Sequence, residues 1–305
     1  MSGSVLCIGE AMVTLRSQGR LRLGDPMVAS IAGAESNVAI GLARLGHDVA
    51  WAGLVGSDEL GELVLRTLRA EGVDVRTRHN PARPTGLMFR EHRTGDIIHV
   101  EYVRRGSAGS ALDVALVEEA LDPAPALLHV SGITPALSEA NAKATGAALR
   151  RARELGAVTS LDLNYRSRLW SREEAASALR MMLPDVNVLF ASADELPLAF
   201  DAEPPGDQVS EVVVTHGADG AEAWESGRRA RVTARPVRAV DPVGAGDAFV
   251  AGYLSARLDG LDLEGRLARG TDVAAVAVGS AGDWEGLPTR SELAAFAGDH
   301  DGMLR

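Results

Sequence analysis

Cysteine is almost absent: Cys7 is the single thiol in 305 residues. One thiol closes no internal disulfide and builds no cysteine-based zinc site, and Cys7 reads as a small core residue of a first strand. Positive charge is also short, with 31 Lys and Arg against 42 Asp and Glu, a net charge of −11. Phosphate backbones are held by Lys and Arg, so a nucleic-acid partner is not expected. A small anionic substrate is still admissible, because a few arginines can dominate one pocket. No apolar run approaches the ~20 residues that cross a bilayer. The uncharged stretch 123–138 is broken by Pro123, Pro125 and Pro135 and carries His129. The N-terminal MSGSVLCIGEAMV lacks a basic region and meets Glu10 too early for a secretion signal. The expectation is a soluble, cytoplasmic protein with no membrane partner. His47, His79, His92, His99, His129 and His300 show no metal spacing. Internal repeats and low-complexity tracts are missing, and 46% apolar with 24% charged residues is ordinary globular composition.

Present instead is a regular alternation. Val5–Ile8 reads as a buried strand, Asn37–Leu45 as a helix stopped by Gly46, and Asp48–Val55 as a strand. Asp58–Glu71 reads as a helix, with Leu60, Leu63, Val64, Leu65 and Leu68 at helical spacing and Gly72 as its stop. Ala126–Val130, Ser138–Leu155, Val158–Leu163, Arg172–Leu183, Val186–Ala191 and Val212–Thr215 continue strand and helix in turn. Such a chain predicts parallel strands joined by helices that cover both faces of one sheet. Segments 11–32 and 86–109 break the pattern. Gly86–Glu91 and Ile97–Tyr102 alternate at period two around Arg93-Thr94-Gly95-Asp96, a candidate hairpin turn. They predict antiparallel strands standing off the main sheet as a lid, against decorated surface loops as the plainer reading. Pro204-Pro205-Gly206-Asp207 reads as a loop rather than a domain linker, so residues 1–305 are taken as one domain.

The densest chemistry lies in DPVGAGDAFVAGY, Asp241 to Tyr253. Gly244, Ala245 and Gly246 permit a tight turn with free backbone N–H groups, and the residues from Asp247 onward suit a helix. A small-residue turn entering a helix N-terminus makes an anion site. A carboxylate at that point, Asp247, could accept a proton from a hydroxyl attacking phosphorus. The plainer reading is a glycine turn with an Asp cap. The motif is not a Walker loop, because no G-K-[ST] follows.

This stretch resembles the C-terminal signature of the ribokinase-like sugar kinases, the PfkB family. AGAESNVAIGLARLG, Ala32 to Gly46, resembles their N-terminal signature, and the likeness runs over essentially the whole chain. The resemblance implies an α/β fold: a central, mostly parallel sheet with helices on both faces and a small β lid over the sugar. Three stretches resemble the 2-keto-3-deoxygluconate kinases within the family: YVRRGSAGSAL, SGITPALS and LDLNYRSRLW. A sugar acid carries a carboxylate, which a planar guanidinium holds with two charge-assisted bonds.

The likeness assigns acceptor contacts to Gly33, Asn37, Tyr102, Arg104, Arg166 and Asp283. It assigns nucleotide contacts to Ser192, Thr215, Gly217, Gly220, Thr271 and the turn Gly244–Gly246. Asp247 is the implied base. Glu195 is implied to act on Mg²⁺ through water, as Mg²⁺ gives up its waters reluctantly. Arg105 and Arg168 are expected to face solvent, Trp170 to pack the arginine loop, and Asp162 to be a hydrogen-bonding strand end. His216 lies in the nucleotide turn, where the glycines matter more.

Four positions depart from the pattern. Ser192 replaces an Asn, Met88 a lid tyrosine, Thr271 an Asn near adenine, and Glu101 an aromatic or apolar residue. The expected reaction is ATP-dependent phosphorylation of the terminal hydroxyl of 2-keto-3-deoxygluconate or a related keto-deoxy acid. A same-fold kinase of a neutral sugar or nucleoside is the alternative, and a non-catalytic sugar-binding regulator the more distant one. Open lid edges predict a homo-oligomer, a dimer or a dimer of dimers.

Overall fold

The computed structural model describes residues 4–94, 97–201 and 208–298. The expected turn at Gly95-Asp96, the loop Pro204–Asp207 and His300 lie outside the described residues. The chain opens with β1 (Val5–Ile8), β2 (Met12–Ser17), β3 (Met27–Ala32), α1 (Ala34–Arg44) and β4 (Val49–Gly56). Then come α2 (Glu59–Ala70), β5 (Asp74–Asn80), β6 (Leu87–Thr94), β7 (Ile97–Val103), α3 (Val114–Ala120) and β8 (Leu127–Ser131). Next are α4 (Ile133–Ala136), α5 (Glu139–Glu154), β9 (Val158–Asp162), α6 (Arg172–Met182), β10 (Val188–Ser192), α7 (Leu196–Ala199) and β11 (Glu211–Thr215). The hairpin β12 (Ala221–Glu225) and β13 (Arg228–Val232) precedes α8 (Ala245–Leu258), α9 (Leu263–Ala277) and α10 (Arg290–Gly298).

Local chemistry sets the helix ends. Asp58 accepts from the Gly61 N–H, Ser138 from Asn141, and Ser171 forms a capping box with Glu174. Each such cap stabilises by about 1 kcal/mol. The sequence placed Asp58 and Ser138 inside their helices; as caps they stand just before them.

The main sheet has nine strands in the order β13-β12-β11-β10-β9-β8-β1-β4-β5. Seven of them, from β5 to β11, pair in parallel, while β12 and β13 add an antiparallel edge. Side chains alternate across it, as the strand period of two requires. Val5, Cys7, Trp51, Phe190 and Val213 face α1, α2, α8 and α9 in one core. Leu6, Ile8, Leu128, Leu161, Leu189 and Val212 face α3, α5 and α6 in the other. Cys7 is fully buried, and burial pushes its thiol far above the usual range. Among the described residues, no helix is long and apolar enough to cross a membrane.

The off-pattern segments form a second sheet in the order β3-β2-β6-β7. Its pairing corrects the expectation of an all-antiparallel lid: β2 and β6 run parallel, while β2–β3 and β6–β7 are antiparallel. β2 and β6 are separate excursions from the main sheet that leave it in the same direction, so they meet side by side. One lid face, with Val13, Leu15, Ile31 and Leu87, continues the larger core. The other carries Met12, Ala32, Met88 and Val100 as a small apolar patch over the cleft.

Candidate active site

A cleft of about 1340 Å³ lies between this lid and the carboxyl ends of the main strands. Ligands of α/β sheets bind at that end, and the volume exceeds the roughly 300–1,000 Å³ usual for one small-molecule site. The cleft brings together Gly33, Asn37, Tyr102, Arg104, Arg166 and Asp283 with Ser192, Glu195, Thr215 and the run Gly244, Ala245, Gly246, Asp247.

The turn owes its shape to Gly244. This residue caps α8 at φ +78°, and a Cβ there would sit 2.0 Å from the Asp283 carbonyl oxygen. No side chain fits such an approach. Helix geometry leaves the first four N–H groups without intrahelical partners. Ala245 N reaches Pro242 O at 3.3 Å and Ala248 N reaches Gly244 O at 2.8 Å, so Gly246 and Asp247 point their N–H groups at the cleft. Gly246 differs from Gly244: it is helical, and nothing lies within 4 Å of a Cβ added there.

Asp247 stands on the first turn of α8. Asn37 Nδ2 donates to its Oδ2 at 2.7 Å, and Asn164 Nδ2 approaches Oδ1 at 3.5 Å. Asn37 is not a helix cap; Gly33 takes that place in α1. Enclosure pushes the Asp247 carboxyl up to about 7, against the lowering pull of Asn37 and Arg166. Such a group holds or releases a proton near neutral pH, which suits a general base.

On the lid side of the cleft, Arg104 forms an ion pair with buried Glu10 and lies over the Tyr102 ring, 5.3 Å from its centre. Ser107 Oγ holds the other Glu10 oxygen at 2.7 Å. Arg166 is different. It is exposed to the cleft, its Nη1 donates to the Tyr165 carbonyl at 3.1 Å, and no carboxylate pairs with it among the described residues. Asp283 accepts from Arg90 Nη1 at 2.7 Å. Burial nevertheless pushes its carboxyl up to about 6, since Arg90 is shared with Asp241. Arg105 borders the cleft, and Arg168 is not simply solvent-facing: its Nη1 ties the 164–170 loop to Val100 O of the lid at 2.7 Å.

Elsewhere along the cleft Ser192 and Thr215 close β10 and β11, and Glu195 caps the short α7. Both Glu195 oxygens are taken by backbone donors, Tyr165 N at 2.7 Å and Ser192 N at 2.9 Å. Asp162 borders the same space. Enclosure raises its carboxyl well above the usual range, and the charges of Glu195 and Asp247 raise it further. A bare set of direct metal ligands is missing among the described residues. Acidic groups that repel one another without a cation do fit a hydrated Mg²⁺, which is bound by one or two carboxylates and keeps most of its waters. Asp162 is also the hydrogen-bonding strand end expected of it: it closes β9 and accepts from Asn164 N at 3.2 Å and Asn164 Nδ2 at 3.1 Å.

Three expected residues lie off the cleft lining. Gly217 and Gly220 frame the 217–219 turn, and a Cβ on Gly220 would meet Val232 O at 2.0 Å; its glycine serves the contact with β13. Thr271 is buried in α9 with its hydroxyl on Ala268 O at 2.8 Å. The histidines have bland partners: His47 meets Ser255, His129 meets Ser160, and His216 meets Glu222. Trp170 packs partly buried against the second core, and its carbonyl accepts from Tyr165 Oη at 3.2 Å.

Sequence reasoning passed over Glu10, Glu35, Arg90, Asn164 and Asp241. Buried Glu35 accepts from Ser131 and Thr134 at the cleft wall. Asn164 adopts φ +39° and leaves its buried Oδ1 unpaired, as does Asn37. A signal existed for some of them. Glu10 follows the apolar CIG at a strand end, and Arg90 is two residues from Met88 on one strand.

The pfkB family carbohydrate kinase pattern matches residues 2–290. A 2-dehydro-3-deoxygalactonokinase of Haloferax volcanii is 36% identical, covering 90% of this chain and 91% of its own. A 2-dehydro-3-deoxygluconokinase of Bacillus subtilis is 35% identical over 94% and 92%. The solved 2-dehydro-3-deoxygluconokinase of Thermotoga maritima superposes with TM-score 0.86 at 26% identity, over 98% of this chain and 99% of its own. A putative ribokinase II of E. coli, solved with ATP and Mg²⁺, superposes at 0.87 with 26% identity over 97% and 99%. With a matching pattern across nearly its whole length and a cleft between lid and parallel sheet, this chain belongs to the pfkB family of carbohydrate kinases.

Proposed function

We propose that the protein transfers the γ-phosphoryl group of ATP to the terminal hydroxyl of 2-keto-3-deoxygluconate or a closely related keto-deoxy sugar acid. The observation that carries this is Arg166, a guanidinium that forms no direct ion pair with a carboxylate among the described residues, in the same cleft as the Gly244–Asp247 turn. An anionic acceptor would complete it. Relatives named for the gluco and galacto forms of this acid support the reading. ATP comes from the family chemistry and from the E. coli neighbour solved with it.

In this reading Arg166 and Arg104 hold the carboxylate, and Tyr102 lines the sugar. Asn37 and Asn164 turn their amide groups to Asp247 and hold its carboxylate toward the acceptor hydroxyl. Asp247 takes the proton of the attacking hydroxyl, and the Gly246 and Asp247 N–H groups receive the phosphoryl oxygens. Glu195 and Asp162 would hold Mg²⁺ through water; the ion supplies positive charge against the phosphates when bound. The lid keeps out water that would hydrolyse ATP. A cytoplasmic, homo-oligomeric enzyme belongs to the same proposal.

The test is kcat/KM with ATP for both epimers of the acid, fructose and ribose. The acid should be preferred by about tenfold or more, the scale of one lost charge-assisted bond. A relative named fructokinase, from Klebsiella pneumoniae, is 34% identical. Preference for fructose would therefore move the assignment to a neutral sugar, and absence of all turnover would end it.

A further inference from the structure

Arg90 sits on the lid strand β6, yet its side chain is only 3% exposed. Nη2 pairs with Asp241 Oδ2 and Nη1 with Asp283 Oδ1, both at 2.7 Å. Asp241 opens the phosphate turn. Its Oδ1 accepts from Val243 N and its Oδ2 from Gly282 N, each at 3.1 Å. Asp283 presses its carbonyl against Gly244, where no Cβ would fit. One planar fork thus joins three parts: the acceptor lid, the start of the phosphate turn, and the 280–287 loop behind that turn. Arg16 on the neighbouring strand β2 makes a parallel tie to the same loop, pairing with Glu285 at 2.5 Å while Ser30 Oγ donates to the same oxygen at 2.8 Å.

We propose that Arg90 is a positioning residue that couples acceptor binding under the lid to the geometry of the phosphate turn, through the Asp241–Arg90–Asp283 triad. A buried ion pair adds little net stability over a well-packed apolar substitute. It does fix direction, because the two carboxylates accept the fork in one orientation. A lid displaced by an acceptor moves Arg90. Movement of Arg90 shifts Asp241 and Asp283, and both of these touch the turn. Acceptor and nucleotide sites then affect each other reciprocally, as linkage demands. The proposal rests on the phosphotransfer reading above, but not on which sugar is the acceptor.

The experiment measures binding of the ATP analogue AMP-PNP with Mg²⁺ by calorimetry, with and without saturating acceptor, in wild type, Arg90→Lys and Arg90→Gln. The acceptor used is whichever sugar of the panel wild type turns over best. In wild type the acceptor should tighten AMP-PNP by at least about fivefold, the lower end of ordinary coupling. In Arg90→Gln that factor should fall below about two, and KM for ATP should rise although the change lies on the acceptor lid. Arg90→Lys keeps the charge without the fork and should fall between. If Arg90→Gln does not fold, Arg90→Lys alone decides. Wild-type coupling in the folded variants, or none in wild type, would overturn the proposal. A merely structural role would lower Tm and leave the coupling factor unchanged. Failure of every acceptor to react would instead sink the kinase reading, and this inference with it.

Discussion

Asp247 shows how enclosure, rather than residue type, sets chemistry. Its carboxyl lies near 7 in the folded protein against an ordinary 3.8. A base must be ionised to act, so kcat/KM should fall tenfold per pH unit below about 7 and level off above it. A profile flat down to pH 5 would show that another group takes the proton. Asp247→Asn should lower kcat by ~10²–10⁴, about 3–5 kcal/mol of barrier, while AMP-PNP still binds. The same shift has a consequence for stability. The folded state binds the proton more tightly than the unfolded chain, so ionising Asp247 costs stability as pH rises from about 4 to about 7. Asp247→Asn should then melt a few degrees above wild type at pH 8, with the gap closing at pH 5. Arg166→Lys keeps charge but loses the two-pronged geometry, and should lower kcat/KM about tenfold for the sugar acid and much less for a neutral sugar. Equal losses on both would remove the carboxylate from the argument.

At the scale of elements, the two turn glycines separate by mechanism. Gly244→Ala meets a positive φ and a backbone oxygen at 2.0 Å, so it should lower Tm and activity together. Gly246→Val has open space and helical angles; its side chain fills the region where the phosphate would sit. It should raise KM for ATP with a smaller loss of Tm, read by melting curves beside initial rates. Much of this was legible in the chain. Apolar runs at strand length gave β1, β4, β8 and β9 within a residue or two, and the small-residue turn before AFVAGY marked the helix entry. Pairings across the fold were not legible. Arg90 lies 151 positions from Asp241 and 193 from Asp283, and no local pattern encodes such a meeting. Nor does period two say which lid strand lies beside which, so the parallel β2–β6 pair escaped notice. Asn164 lies just past the expected strand Val158–Leu163, and only the folded loop shows its left-handed backbone and its reach to Asp247.

For the whole molecule, the outer strands of the lid sheet, β3 and β7, carry Val28 at 63% and Val103 at 57% exposure. Edges with exposed apolar side chains invite strand pairing. Sedimentation at micromolar concentration should show an oligomer, and Val28→Asp should shift it toward monomer; a monomeric wild type would dismiss the idea. The lid also belongs to two environments at once. Along β6, Phe89 shares with Leu15 the face turned away from the cleft, where it lines a recess with Arg22 and Met27, while Met88 and Arg90 border the cleft. A slip of β6 by one residue against β2 and β7 would turn every side chain to the other face. A benzene ring would then stand between two acids, and a guanidinium would turn outward. Only a slip by two residues would keep the cleft face and the core face apart, so the pleat makes the lid's register a two-step choice.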